Sequence, residues 1–119
     1  MKLAKIHKDK RGEIWILLKD NKEHTFLITN KGYARGGCIH RKSKEYVVVL
    51  EGTVEYHIRG KRIKTYSKGE SLSINKNTPH YFISKEDSIV LEWGATPEEK
   101  KERHKQWRKT VDKINESLV

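Results

Sequence analysis

The sequence predicts an all-β jelly-roll barrel followed by a C-terminal α-helix, and three observations predict it. From residue 13 to residue 93, short runs of β-branched and aromatic residues recur at regular spacing between polar turns, the pattern of a sandwich or barrel. Thr53–Ile58 alternates apolar and polar residues with the period-two signature of a strand. Trp107, Val111, Ile114 and Leu118 then recur at helical spacing and make one apolar stripe. A chain of 119 residues forms one domain, with a barrel over 1–95 and an amphipathic helix over 96–119 that packs on the barrel or on a partner subunit.

The elements follow in order. Ile14–Leu18 and Thr25–Thr29 are β-forming runs separated by the turn residues Lys19, Asp20, Asn21 and Lys22. Cys38 and His40 lie on the next strand, and the polar run Arg41–Lys44 ends it. Tyr46–Leu50 is apolar at every position, so burial of both faces is expected. Glu51-Gly52 turns into Thr53–Ile58, Arg59–Arg62 turns into Ile63–Tyr66, and Ser67–Glu70 turns into Ser71–Ile74. Asn75–Pro79 is a loop before the last strands, His80–Ser84 and Ser88–Trp93. Thr96 as cap, Pro97 at the first helical position and Glu99 closing a capping box predict the helix start.

Composition narrows the function classes. Hydrophobic residues make up 34% and charged residues 35% of the chain, so the core must use its apolar positions economically. No apolar run approaches the roughly 18 residues of a spanning helix, and residues 1–9 are too charged for a signal peptide. The single cysteine excludes an intramolecular disulfide and agrees with a reducing compartment, so a cytoplasmic location is expected. Heavy use of Lys, Arg and Glu, with one Met and one Cys, leans towards a thermophilic source. The net charge of +10 is spread along the chain and interleaved with acids, without a zinc-finger, helix-turn-helix or RNA-recognition signature. It reads as a solvated surface rather than a nucleic-acid platform, and it suits an anionic small ligand such as a nucleotide diphosphate.

Four chemistry-bearing side chains share one spacing frame. Cys38 and His40, two residues apart on a strand, point to one face. Glu45 opens the strand after the Arg41–Lys44 turn, and His80 follows Pro79 at a strand entry. All four types bind transition metals or move protons, and they meet only if the sheet curls on itself.

Gly32, Cys38, His40, Glu45 and Gly52, with Gly69, Asn75, Asn77 and His80, resemble the two motifs of the cupin superfamily. Cys38 stands where the first histidine is usual, and Asn75 and Asn77 stand where proline and glycine are usual. The resemblance implies a double-stranded β-helix barrel. Asp9–Ile14 and Ala34–His40 are further similar to signatures of a cupin branch acting on nucleotide-linked 4-keto sugars, the dTDP-4-dehydrorhamnose 3,5-epimerases and dTDP-sugar 3,4-ketoisomerases. That branch implies proton transfer next to a sugar ketone.

Two chemistries are open for the site. In one, Cys38, His40, Glu45 and His80 hold a divalent transition metal, zinc or iron in preference to magnesium because a thiolate is present. In the other no metal is needed: His40 is the base, Glu45 orients it, His80 or Tyr56 is the acid, and Arg35 and Arg11 bind the anionic part of the substrate. A third reading is a non-catalytic small-ligand module. Tyr56 and Trp93 also read as packing aromatics and His57 as a surface residue, while His7, His24 and His104 carry no signal. A homodimer formed through strand or helix contacts is expected.

Overall fold

The hairpin at the start of the chain shows how local chemistry sets the architecture. Asp20 and Asn21 both take positive φ, 52° and 58°, as a two-residue turn matched to strand twist requires. They join Gly12–Lys19 (β2) to Lys22–Thr29 (β3) in unbroken antiparallel register. The structure, a computed structural model, describes residues 1–94 and 102–118. Within it Lys2–Asp9 (β1) adds a strand outside β2. Sequence patterning missed β1 because it is an edge strand exposed along most of its length, and an exposed strand shows no apolar alternation.

The other strands are Ala34–Ile39 (β4), Glu45–Glu51 (β5), Thr53–Ile58 (β6), Lys64–Ser67 (β7), Ser71–Ile74 (β8), His80–Ser84 (β9), Ser88–Trp93 (β10) and Glu102–Arg103 (β11). One sheet runs β1-β2-β3-β10-β5-β8 and the other β11-β4-β9-β6-β7. Leu27, Val47, Val49, Val54, Tyr56, Ile58, Ile74, Phe82 and Val90 fill the space between them. Their near-complete loss of solvent contact stabilises the barrel by roughly 1.5–3 kcal/mol per large side chain. Burial of both faces of Tyr46–Leu50 is corrected: Val47 and Val49 are fully buried, but Tyr46 remains 43% exposed on the outer face. There Tyr46 stacks on Trp93.

Glu51-Gly52 turns β5 into β6 as the glycine frame predicts. Gly52 has φ of 78°, and a Cβ there would lie 2.3 Å from the Asp87 carbonyl oxygen, so only glycine fits. Asn77, at a place where the resembled motif has glycine, takes φ of 61°, a conformation that asparagine tolerates better than most residues. Its N–H donates to the His40 carbonyl at 2.7 Å and ties the Asn75–Pro79 loop to the end of β4.

The C-terminal segment closes the outer edge of β4 residue by residue. Glu102 and Arg103 pair with Ile39 and Cys38, and the His104 N–H donates to the Gly37 carbonyl. Arg108 donates to the Gly36 carbonyl. The Asn115 amide then both accepts from the Ala34 N–H at 2.8 Å and donates to the Ala34 carbonyl at 3.0 Å, imitating a neighbouring strand. The helix, Lys105–Glu116 (α1), is capped by the His104 side chain. It packs Val111, Trp107 and Ile114 against Ala34, Tyr81 and Ile83, so the apolar stripe lies on the barrel. The expected start at Thr96, Pro97 and Glu99 falls outside the described residues. The extended conformation of Glu102–Arg103 corrects the expectation of one helix running from 96: backbone groups on the β4 edge need partners, and a strand supplies them where a helix cannot.

Candidate functional site

Three of the four framed side chains meet inside the barrel. His40 and His80 are 4% and 5% exposed and lie nearly parallel, with ring centroids 6.3 Å apart, and Glu45 is 4% exposed. One carboxylate oxygen of Glu45 lies 2.6 Å from His40 Nε2, and the other lies 3.3 Å from His80 Nε2. The elements explain the meeting: His40 directly follows β4, Glu45 opens β5, and His80 opens β9.

The tautomer of His80 follows from its partners. A carbonyl only accepts, so Nδ1, at 3.0 Å from the Thr78 oxygen, donates to it. Burial alone would lower the His80 pKa. The hydrogen bond and charge of Glu45, the Thr78 carbonyl and the charge of Glu92 outweigh burial and raise it above the ordinary value of 6.5. The doubly protonated form, with its Nε2–H towards Glu45, is thereby favoured over that of a free imidazole. The His40 contact is close but does not meet the geometry of a hydrogen bond, and His40 Nδ1 has no hydrogen-bond partner.

This arrangement does not fit a metal centre. Ligand atoms about 2.1 Å from a tetrahedral ion are separated from one another by about 3.4 Å, and the 2.6 Å contact between His40 and Glu45 is far tighter. Among the described residues no group of three or more His, Cys, Asp or Glu side chains is arranged to hold a metal ion. Cys38 stands directly opposite His80 in the β4–β9 ladder.

A cavity of about 270 Å³ opens beside this triad. His80 and Cys38 line it with Ile14, Leu27 and Phe82, and with Arg11, Arg35, Arg103 and Arg108. His40 is not among the lining residues, so of the two imidazoles in the triad His80 is the one that faces the cavity. Arg35 is 4% exposed; its Nε donates to Thr29 Oγ1 and its Nη2 to the Ile28 carbonyl, while Nη1 has no partner. Burial, helped by the charge of Arg11, pulls its pKa down to about 10, which leaves it a cation at neutral pH. Arg11 is held by two hydrogen bonds to Asp9 Oδ2, at 2.9 and 2.7 Å. Both arginines named from the sequence therefore line the cavity.

Tyr56 does not line it. The ring is 1% exposed and packs against Phe82 and Tyr66. Burial and the charges of Glu92 and Glu45 push its pKa well up, and its hydroxyl has no partner. Tyr56→Phe is expected to leave stability unchanged or raise it by up to about 1 kcal/mol, because it removes a buried, unsatisfied hydroxyl. Urea unfolding checks this; a loss above about 1 kcal/mol would show that the hydroxyl has a bonded role.

Four lining residues escaped sequence reasoning. Glu92, 7% exposed, sits two residues after the fully buried Val90 on β10, so strand parity alone places it inward. His7 lines the cavity and bonds Asp9 at 2.9 Å, but its strand showed no pattern. Arg103 and Arg108 lie in the segment expected to be a solvated helix face. His57, expected on the surface, is half-buried, pairs with Glu55 at 2.7 Å and stacks on Tyr81.

Known proteins share this architecture. Capsular polysaccharide assembling protein CapF from Staphylococcus aureus superposes with a TM-score of 0.70 at 20% identity, over 87% of this chain and 32% of that chain. KdgF from Halomonas sp. gives 0.67 at 17% identity, over 78% and 87%. Oxalate decarboxylase from Lactobacillus farciminis, in a formate complex, gives 0.73 at 20% identity, over 91% and 35%. The chain spans about a third of the length of the CapF and oxalate decarboxylase chains, and at these identities the likeness is one of fold. No curated protein matches the chain in sequence. Residues 29–94, more than half of the chain and the stretch that carries the triad, match the cupin domain, and the protein belongs to the cupin family.

Proposed function

We propose that the protein binds a small anionic carbonyl compound in the barrel cavity and moves a proton at the carbon beside the carbonyl. Nucleotide-linked keto sugars are the proposed substrate class. One observation carries the reading: His80 is both a wall of the cavity and the end of the buried His40–Glu45–His80 chain. Nδ1 of His80 is committed to the Thr78 carbonyl, so Nε2 is the reacting atom. In its neutral form Nε2 takes the proton from the carbon, the C–H electron pair moves to the carbonyl oxygen, and an enolate results. Glu45 stabilises the imidazolium so formed, and the cavity guanidinium groups stabilise the enolate. Return of a proton to the opposite face of that carbon completes an epimerisation, and its return to the former carbonyl carbon after the enol proton shifts completes an isomerisation, in either case without a redox partner. The unbonded Nη1 of Arg35 supports an anionic ligand, since a buried guanidinium nitrogen without an acceptor is costly.

The test is exchange of solvent deuterium into a dTDP-linked 4-keto sugar, followed by NMR. The wild-type protein is expected to exchange a carbon-bound proton next to the ketone, and His80→Asn to slow this by at least about a hundredfold, the range of a lost general base. Ligand-induced stabilisation without exchange would overturn catalysis in favour of a binding module. Unchanged exchange in His80→Asn would remove His80 from the role.

A further inference from the structure

The cavity beside the triad has a neighbour. A second hollow of about 410 Å³ is lined by Asp9, Lys10, Arg11, Arg108, Asp112, Asn115 and Glu116. Arg11 and Arg108 line both hollows. Each guanidinium is held in place by its own side of the protein. Arg11 is fixed by Asp9. Arg108 donates from Nη1 to the Gly36 carbonyl at 3.1 Å and places Nε 3.3 Å from Asp112.

The position of Arg108 depends on Gly37. A Cβ there would lie 2.7 Å from the Arg108 Cα and 2.8 Å from its N, so the first turn of α1 rests directly on the strand backbone. That close seat brings a helix residue to a barrel cavity, and Arg108 lies outside residues 29–94 that match the cupin domain.

We infer that Arg108 and Arg11 form a clamp for a phosphate-class anion between the two hollows, with the reacting group of the ligand in the inner hollow and the remainder in the outer one. Two positioned guanidinium groups suit the spread charge of a diphosphate better than that of a single neutral sugar. The outer hollow, with Asp9, Asp112, Asn115 and Glu116 on its walls beside Lys10, offers acceptors to hydroxyl and N–H groups. This matches a ligand with an uncharged reactive head, an anionic linker and a polar outer part. The inference rests on the reading of the inner cavity as the ligand site, but it concerns binding and not proton transfer.

Titration calorimetry with dTDP, thymidine and inorganic pyrophosphate tests it on the full chain. Wild type is expected to bind dTDP, to bind pyrophosphate more weakly, and to show no heat with thymidine. Arg108→Gln is expected to weaken dTDP binding by at least about tenfold, the loss of one charge-assisted bond. Lys109→Gln removes the same charge from an exposed neighbour that lines neither hollow, and it is expected to leave binding unchanged. Equal losses in the two variants would reduce the effect to diffuse charge and overturn the clamp, as would the absence of dTDP binding to wild type. Pyrophosphate binding as tightly as dTDP would overturn the role of the outer hollow. Circular dichroism confirms that Arg108→Gln keeps α1; should it not, Arg108→Lys, which keeps the charge but loses the fork, is expected to show an intermediate loss. Deuterium exchange with a KM unchanged in Arg108→Gln would refute the clamp and leave the catalytic reading intact. Arg108-dependent dTDP binding without exchange would do the reverse.

Discussion

Glu45→Gln is expected to lower unfolding stability by about 3 kcal/mol near pH 6, measured by urea denaturation. Glu45 is 4% exposed and faces both histidines through its two oxygens. Removing one partner of a buried charged cluster costs about 3–5 kcal/mol, because the charge left behind has lost its compensation. The low end applies here, since an imidazole can shed its proton where a guanidinium cannot. The loss depends on pH with a definite sign. The folded-state pKa of His80 lies above its ordinary 6.5, so folding favours its protonated form. The stabilisation from this source is complete below about pH 6.5 and is lost as pH rises through the raised value. The gap between wild type and Glu45→Gln should therefore be widest in mild acid and narrow as pH rises through the raised value. A gap that stays constant as pH rises would mean that Glu45 does not hold the extra proton on His80.

That cluster also marks how much of the site was legible in the sequence. His40, Glu45 and His80 were legible because the polar run Arg41–Lys44 had to turn the chain, and Pro79 had to end a loop just before a strand. Arg11 and Arg35 were legible through the motifs around them. The division of labour between the two imidazoles was not, because which one faces the cavity depends on how the β9 entry meets the end of β4. Strand parity put Cys38 and His40 on one face, but β4 ends at Ile39 after a register shift between Gly36 and Cys38. Residues beyond a bulge no longer follow simple alternation. For the fold, buried alternating strands such as β6 were plain, whereas β1 was invisible because an exposed edge strand leaves no apolar trace. The contribution of β11 and α1 was hidden for a different reason. Periodicity reveals the apolar face of a helix, but the polar groups it donates to a strand edge, such as the amide of Asn115, have no periodic signature.

The dependence of that edge on close approach gives the second large effect. Gly37→Ala is expected to destabilise the protein by about 2–4 kcal/mol and to release α1 before the barrel unfolds. Gly37 has φ of 80°, a conformation that costs an L-residue about 1 kcal/mol. The new methyl would also press on the backbone of Arg108 and Trp107, and backbone cannot rotate away as a side-chain tip can. Overpacking of this kind adds about 1–3 kcal/mol. Relief by sliding the helix outward would break the Arg108 bond to Gly36 and both Asn115 bonds to Ala34, and would expose the fully buried Val111. The strain is thus divided between a distorted strand and an undocked helix, and the helix is the cheaper to lose because its apolar cluster is separate from the barrel core. A fall in melting temperature of at least roughly 8 °C is expected, with trypsin cleavage within 102–116 at temperatures where the barrel still resists. A melting temperature within about 2 °C of wild type would show that β4 and α1 can separate without loss, and that the seat of Arg108 is not fixed by Gly37.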